Sequence, residues 1–136
     1  MKELDIEAKV ENLNTVIEFV DEQLESFECP MKVQMQIDLA VEEIFVNIAN
    51  YAYDPSIGSA TVRTEVSPDG RQVSITFIDQ GVPYDPLAKE DPDTSLPLEE
   101  RGIGGLGIFL VKKNMDDIKY EYRNGSNILT IVKDLG

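Results

Sequence analysis

The stretch from Ala60 to Phe77, ATVRTEVSPDGRQVSITF, contains two alternating segments on either side of a turn. Apart from Thr64, every second position in both segments is apolar, which is typical of strands with one buried face. Ser67-Pro68-Asp69-Gly70 separates the segments, and these residue types favour a tight turn. The stretch therefore predicts a β-hairpin near the middle of the chain.

The residues before this hairpin predict one strand and two helices. Residues 4–10 alternate apolar and charged side chains, as a half-buried strand does. From Asn12, the expected N-cap, apolar residues recur at helical spacing as far as Phe27. A second helical pattern begins at Pro30 and ends before Asp54-Pro55.

The residues after the hairpin complete the fold. Gly81 to Gly105 is rich in proline and charged residues and is too long for a simple connection, which predicts a functional loop. Leu106 to Met115 predicts a short helix, and residues 118–135 predict a closing hairpin that turns at Asn124-Gly125. We therefore expect an α+β fold in one domain, residues 1–136. It would be a two-layer α/β sandwich, with a mixed, mostly antiparallel sheet and helices on one face.

Composition excludes several classes of function. Twelve Lys plus Arg against 26 Asp plus Glu give a formal net charge of −14, which argues against nucleic-acid and anionic-membrane partners. The chain has no histidine and one cysteine, Cys29, so histidine-based triads, internal disulfides and multi-cysteine zinc sites are excluded. No uncharged stretch approaches the roughly 20 residues of a membrane span, and the N-terminus is too charged for a signal peptide. We expect a cytoplasmic protein.

Three polar side chains of the predicted second helix lie beside its apolar stripe. Glu43, Asn47 and Asn50 fall within about 60° of one another on a helical wheel, next to the aliphatic positions and not opposite them. A carboxylate and an amide four residues apart can point into one pocket. Glu43 could then act as a general base, and Asn47 could offer an amide oxygen to Mg²⁺. A solvated helix flank would give the same pattern.

Two glycine-containing segments could approach a ligand closely. Asp79 ends a predicted strand two residues before Gly81, so its carboxylate can accept a hydrogen bond where the backbone leaves room; a plain Asx turn is the alternative. Gly102-Ile103-Gly104-Gly105-Leu106-Gly107 runs into the next predicted helix, whose free N–H groups can hold phosphate. Its place late in the chain excludes a Rossmann fingerprint, and no Gly-Lys-Ser/Thr follows to make a Walker loop.

Together the three segments resemble the nucleotide site of a known superfamily. Glu43-x-x-x-Asn47, Asp79-x-Gly81-x-Pro83 and Gly102-x-Gly104-Gly105-x-Gly107 stand in the order found in histidine kinases, gyrase and heat-shock chaperones. These proteins share the histidine-kinase-like ATPase, or Bergerat, fold, and the predicted order of elements is similar to theirs. The chain looks most like the short stand-alone members, the anti-sigma-factor serine/threonine kinases.

The resemblance implies a role for each matching residue. Glu43 would be the catalytic carboxylate, and Asn47 would hold Mg²⁺ and thereby the nucleotide phosphates. Asp79 would accept the adenine amine, with Gly81 beneath the base. Asn127 lies near the place of a hydroxyl that the superfamily sets behind the adenine. The other implied nucleotide-binding residues belong to the end of an ATP lid at about residues 81–105, namely Arg101, Gly102, Gly104, Gly105, Leu106 and Gly107.

The resemblance also implies a function and partners. The protein would bind ATP and Mg²⁺ and act as an anti-sigma regulatory factor with serine/threonine kinase activity. Its partners would be a sigma factor or similar regulator and a small antagonist protein that accepts the phosphoryl group, and it could also form a homodimer. Two alternatives stay open: a non-catalytic, nucleotide-responsive protein-binding module, and a structural α/β domain without a ligand. Phosphoryl transfer that depends on Glu43 would distinguish the kinase from both alternatives.

Overall fold

The computed structural model describes residues 1–53, 56–83 and 105–135, and for residue 51 and residues 105–109 it describes the backbone alone. Within these ranges, five strands and three helices follow the predicted order. Their bounds are β1 Lys2–Glu7, α1 Leu13–Ser26, α2 Met31–Asn47, β2 Ser59–Val66, β3 Gln72–Asp79, α3 Gly105–Asn114, β4 Asp117–Arg123 and β5 Ser126–Asp134. None of the helices in the described ranges has the length and hydropathy needed to cross a bilayer.

The strands form one sheet in the order β1-β2-β3-β5-β4. The predicted hairpin supplies its centre, where Val62 pairs with Phe77 and Phe77 pairs with Leu129 of β5. All four pairings among the described strands are antiparallel, whereas the sequence suggested a mixed, mostly antiparallel sheet. The α+β class with helices and sheet in two layers is confirmed.

The core lies between α1, α2 and one face of the sheet. Every second residue of β2 and β3 is buried, as the alternating pattern predicted. The helices contribute Val16, Val20 and Leu24 from α1 and Ile37, Val41, Ile44 and Phe45 from α2. The opposite face of the sheet is more polar, and Thr61 there donates a hydrogen bond to Asp5 at 2.6 Å. The helices therefore cover a single face, which leaves the strand ends free to form a site.

Turn chemistry explains how both hairpins close. Gly70 adopts a φ of 72°, and its N–H donates to the carbonyl of Ser67 at 2.8 Å. Asn124 and Gly125 have φ values of 54° and 80°, the pair of positive angles that a type I′ turn requires. Asn and Gly adopt positive φ values at the least cost, so the Asn124-Gly125 turn sets the register of β4 against β5.

Two helix boundaries differ from the prediction. Asn12 precedes α1, but its side chain does not cap the helix; its Nδ2 donates instead to the carbonyl of Glu7 at 2.9 Å. The α-helical geometry of α2 ends at Asn47, and a π-helical turn, Ile48–Ala52, continues it. Single π-helical turns occur frequently at functional sites, and this one connects two of the three predicted site segments.

Candidate functional site

Asp79 ends β3 and has only 4% of its surface exposed. Its Oδ1 accepts hydrogen bonds from the N–H of Gly81 and from Nδ2 of Asn127, both at 2.9 Å. Both hydrogen bonds that this carboxylate accepts within the described part of the chain use Oδ1. Its orientation is therefore fixed from one side, and Oδ2 is left to accept a hydrogen bond from a ligand.

Asn127 holds both Asp79 and the loop that follows it. This β5 residue pairs with Asp79 across the sheet, and its Nδ2 also donates to the carbonyl of Val82 at 2.9 Å. Its Oδ1 accepts a hydrogen bond from the Tyr120 hydroxyl. The sequence placed Asn127 only near the adenine position. In the structure its side chain donates a hydrogen bond to Asp79, the predicted acceptor of the adenine amine. The sequence did not predict this bond.

Gly81 brings the Asp79 loop against the end of α2. A Cβ atom on Gly81 would lie 2.2 Å from the carbonyl oxygen of Ala52, so no side chain fits there. That same carbonyl accepts the N–H of Val82 at 2.9 Å. The loop is thus attached to the π-helical turn, five residues beyond Asn47, and the first two predicted motifs are brought together.

Tyr53 holds the same loop through hydrogen bonds of its hydroxyl group, a role that the sequence did not reveal. Its hydroxyl donates to the carbonyl of Ser59 at 2.6 Å and accepts the N–H of Gln80 at 2.7 Å. Burial raises the pKa of the phenol, the hydrogen bond from Gln80 acts against this, and the nearby charge of Asp79 raises it further. The available signal was the tyrosine itself, since a partly buried tyrosine hydroxyl usually finds a hydrogen-bond partner.

Glu43 and Asn47 form the predicted pair on α2. Asn47 Nδ2 donates to Glu43 Oε1 at 3.5 Å, a long bond between two half-buried side chains. Burial raises the pKa of the Glu43 carboxyl, the bond from Asn47 lowers it, and the neighbouring Glu42 raises it. The bond uses the amide nitrogen of Asn47 and leaves its oxygen available to a cation.

The available amide oxygen of Asn47 suits Mg²⁺, which prefers hard oxygen ligands and often takes most of them from substrate phosphates and water. Within the described ranges, no three Asp, Glu, Cys or His side chains come close enough to hold a metal by themselves. A cation bound through Asn47 would therefore need further oxygens, such as those of a nucleotide.

The described part of the third motif begins α3. Gly105, Leu106 and Gly107 form the first turn of this helix, where N–H groups lack intrahelical partners and can hold phosphate. Further along, Val111 of α3 and Glu43 of α2 line one shared cavity. The predicted residues Arg101, Gly102 and Gly104, and most of the proposed lid at about 81–105, lie outside the described residues.

The family of histidine kinase-like ATPase domains matches this chain from residue 6 to residue 133. The serine/threonine-protein kinase BtrW of Bordetella bronchiseptica is 28% identical over 100 residues, which cover 74% of this chain and 70% of BtrW. The serine-protein kinase RsbW of Bacillus cereus is 30% identical over 95 residues, which cover 67% of this chain and 58% of RsbW. The chain therefore matches little more than half the length of RsbW.

Solved structures share the same fold. The RsbU and RsbW domains of Rv1364c from Mycobacterium tuberculosis superpose with a TM-score of 0.66 at 16% identity, over 99% of this chain and 33% of that one. The structure of the SiaB–SiaC complex from Pseudomonas aeruginosa gives a TM-score of 0.56 at 15% identity, over 96% of this chain and 89% of that one. These similarities confirm the predicted histidine-kinase-like fold.

Proposed function

Because this chain belongs to the family of histidine kinase-like ATPase domains, we propose that it binds ATP with Mg²⁺ and acts as a serine/threonine protein kinase of the anti-sigma type. Its phosphoacceptor would be a small antagonist protein, and its regulatory target a sigma factor or similar regulator. The similarity to two proteins named as serine or serine/threonine kinases supports this reading.

The observation that carries the proposal is the fixed carboxylate of Asp79. A buried Asp whose Oδ1 is held by Gly81 and Asn127 presents its Oδ2 as a rigid acceptor. An adenine amino group is a donor of matching chemistry. The absence of a side chain on Gly81 lets this loop pack against Ala52, which holds the carboxylate in place.

The remaining site residues take the roles that their positions favour. The N–H groups at Gly105, Leu106 and Gly107 would hold nucleotide phosphates at the start of α3. Asn47 would hold Mg²⁺ through its amide oxygen, and the cation would neutralise phosphate charge during transfer. We also assign phosphate contacts to the lid residues Arg101, Gly102 and Gly104 on the strength of the motif alone.

Glu43 is the proposed general base. Its carboxylate would accept the proton of the serine or threonine hydroxyl as that oxygen bonds to the γ-phosphorus of ATP. The bond between this phosphorus and the bridging oxygen of ADP breaks, and ADP leaves with that electron pair. Positioning and charge neutralisation supply most of the acceleration in such transfers.

Calorimetric titration of ADP and ATP with Mg²⁺ into the whole chain tests the nucleotide site. We expect micromolar-range binding that Asp79→Ala abolishes and that Asn47→Ala makes insensitive to Mg²⁺. Asp5→Ala on the outer sheet face and Asn14→Ala at an exposed position of α1 are matched controls and should bind as wild type does. Failure of the wild type to bind at millimolar nucleotide would overturn the proposal.

Incorporation of γ-phosphate into the protein that co-purifies with the chain tests the kinase step. Glu43→Gln should abolish incorporation but retain nucleotide binding, whereas Glu22→Gln on α1 should retain both. Nucleotide binding without incorporation by the wild type would instead favour the non-catalytic, nucleotide-responsive module.

A further inference from the structure

An apolar row runs along the outward side of α2. Met31, Met35 and Leu39 follow one another at four-residue spacing and are 70%, 59% and 60% exposed. Residues spaced in this way lie on one helix face, so the three side chains form a continuous row. A single exposed apolar side chain is ordinary, but a contiguous row marks an interaction surface.

The row leads into a groove between α2 and α3. Leu39 and Leu110, the latter 47% exposed, line a cavity of about 330 Å³ together with Glu42 and Glu43. Its volume is within the range of binding pockets, roughly 300–1,000 Å³. Val46 and Val111 also line it, so an apolar side chain of a partner would find apolar contacts on both helices.

The charge of the groove restricts its occupant. Two carboxylates, Glu42 and Glu43, line it, and no lysine or arginine is among its lining residues that the structure describes. The whole chain carries a net charge of −14. A second copy of this chain would bring like charges together, whereas a basic segment would be attracted.

We propose that this groove docks a segment of the phosphoacceptor protein that combines an exposed apolar side chain with a lysine or arginine. The apolar side chain would enter between Leu39 and Leu110, and the basic side chain would face Glu42. Since Glu43 lines the same groove, a serine or threonine in the docked segment would lie beside the proposed base. This inference rests on the proposed kinase function and adds the chemistry of its substrate.

A library of short peptides with a fixed central serine and random flanks tests the proposal. The peptides retained by the immobilised whole chain are sequenced, with and without Mg-ADP, and fluorescence polarisation measures the affinity of the most enriched one. We expect enrichment of Leu, Ile, Met or Phe together with Lys or Arg. Leu39→Ser should weaken the best peptide about tenfold or more, as loss of an interface anchor does. Glu42→Lys should remove the basic preference.

Matched controls separate the groove from general surface effects. Ile57→Ser removes an equally exposed apolar side chain, 62% against 60% for Leu39, and Glu22→Lys makes the same charge change on α1. Neither should alter the peptide selection. The proposal is wrong if no peptide is retained, if the retained peptides are acidic, or if Leu39→Ser binds them as wild type does. It is also wrong if Leu39→Ser dissociates a wild-type dimer in sedimentation, since a second copy would then occupy the groove.

Nucleotide titration of the same variants keeps the two proposals apart. Leu39→Ser and Glu42→Lys should bind ADP as wild type does, because neither residue belongs to the nucleotide site. If the wild type binds ADP but fails the peptide selection, the groove is not a docking site and the nucleotide proposal stands. If the wild type binds no nucleotide, the kinase proposal fails, whatever the peptide selection shows.

Discussion

Asn127 shows how much of the candidate site depends on one side chain. Its amide nitrogen donates to Asp79 and to the carbonyl of Val82, and its oxygen accepts from Tyr120. It is 6% exposed, so these bonds form away from water. A buried amide with this many partners fixes the position of all of them, because each group left without its bond costs about 1–3 kcal/mol.

We expect Asn127→Asp to weaken ADP binding at least about tenfold and to lower the free energy of unfolding by about 1–3 kcal/mol. The change removes two donors and sets a second carboxyl group against Asp79. ADP titration and urea unfolding measure the two effects. Asn124→Asp, at the exposed turn of the same hairpin, is the matched control and should change neither. Equal ADP affinity in Asn127→Asp and wild type would show that Asp79 is held without this amide.

Gly81→Ala should also abolish nucleotide binding, for a steric reason. The added methyl group would lie 2.2 Å from the Ala52 carbonyl oxygen, so the loop must move and lose the Val82 bond. Circular dichroism would check that the fold is retained while calorimetry measures ADP binding. Val82→Ala shortens an exposed side chain but keeps its N–H, and should bind normally. Normal ADP affinity in Gly81→Ala would contradict the assigned contact.

The sequence identified residues of the candidate site but not the hydrogen bonds between them. Asp79 and Gly81 were identifiable because a strand end, a carboxylate and a glycine form a short local pattern. The bond that Asn127 donates to Asp79 joins residues 48 positions apart, and the bond that Tyr53 accepts from Gln80 joins residues 27 positions apart, so only the fold brings them together. No local pattern encodes such pairings.

The contact between α1 and α2 contains two facing acids. Asp21 and Asp38 are close enough for their carboxyl groups to share a hydrogen bond, and each has an Oδ1 that is buried without a hydrogen-bond partner. Burial, then the hydrogen bond and charge of Asp21, then the charge of Glu25 together raise the pKa of Asp38 to about 8. Cys29 also lies near this pair; burial raises the pKa of its thiol, and the charges of Asp38 and then Asp21 raise it further.

This pair should make stability fall as pH rises. The folded chain retains a proton on Asp38 that the unfolded chain has released above about pH 4, so each increase in pH up to about 8 favours unfolding. Asp38→Asn should flatten this slope and stabilise the protein near pH 8. Because Asp38 is only partly buried, we expect Asp38→Asn to raise the free energy of unfolding near pH 8 by about 1–2 kcal/mol.

Urea unfolding at a series of pH values between about 5 and 8 would measure this slope. Glu22→Gln, an exposed acid on α1, should keep the wild-type slope. A slope in Asp38→Asn as steep as in wild type would assign the pH dependence to other groups.

Elements were more predictable than the details of their ends. Alternation and helical spacing identified all eight described elements, since each buries one face and its apolar period follows. The π-helical turn after Asn47 was not predicted, because its sequence, IANYA, continues an ordinary helical pattern. The Asp21–Asp38 pair had a signal that went unused: Asp21 stands four residues after Ile17 and three before Leu24, within the apolar stripe of α1.

Net charge acts on the molecule as a whole. With 26 acidic and 12 basic residues, the folded chain repels itself, and salt should screen this repulsion. The ion pairs that salt would weaken are exposed, such as Arg63 with Glu3 and Lys9 with Glu7, and such pairs contribute little. Repulsion should therefore dominate the response to salt.

Raising sodium chloride from low to near-molar concentration should raise the unfolding midpoint. We expect the free energy of unfolding to rise by about 1 kcal/mol, which raises the midpoint by roughly 3–6 °C for a domain of this size. Differential scanning calorimetry at several salt concentrations measures it, and uncharged osmolyte at equal osmolality controls for general solvent effects. A midpoint that falls with salt would mean that the ion pairs outweigh the repulsion.

The hydrogen bonds around Asp79 also give the protein an optical property. Tyr120 donates to Asn127, whose amide holds Asp79, and the Tyr53 hydroxyl accepts from Gln80 in the adjacent loop. The chain has five tyrosines and no tryptophan, so phenol emission is not masked by indole emission. A molecule that bonds to Asp79 changes the polarity around both phenols. Intrinsic tyrosine fluorescence should then follow occupancy of the site in real time, without a label or a coupled assay.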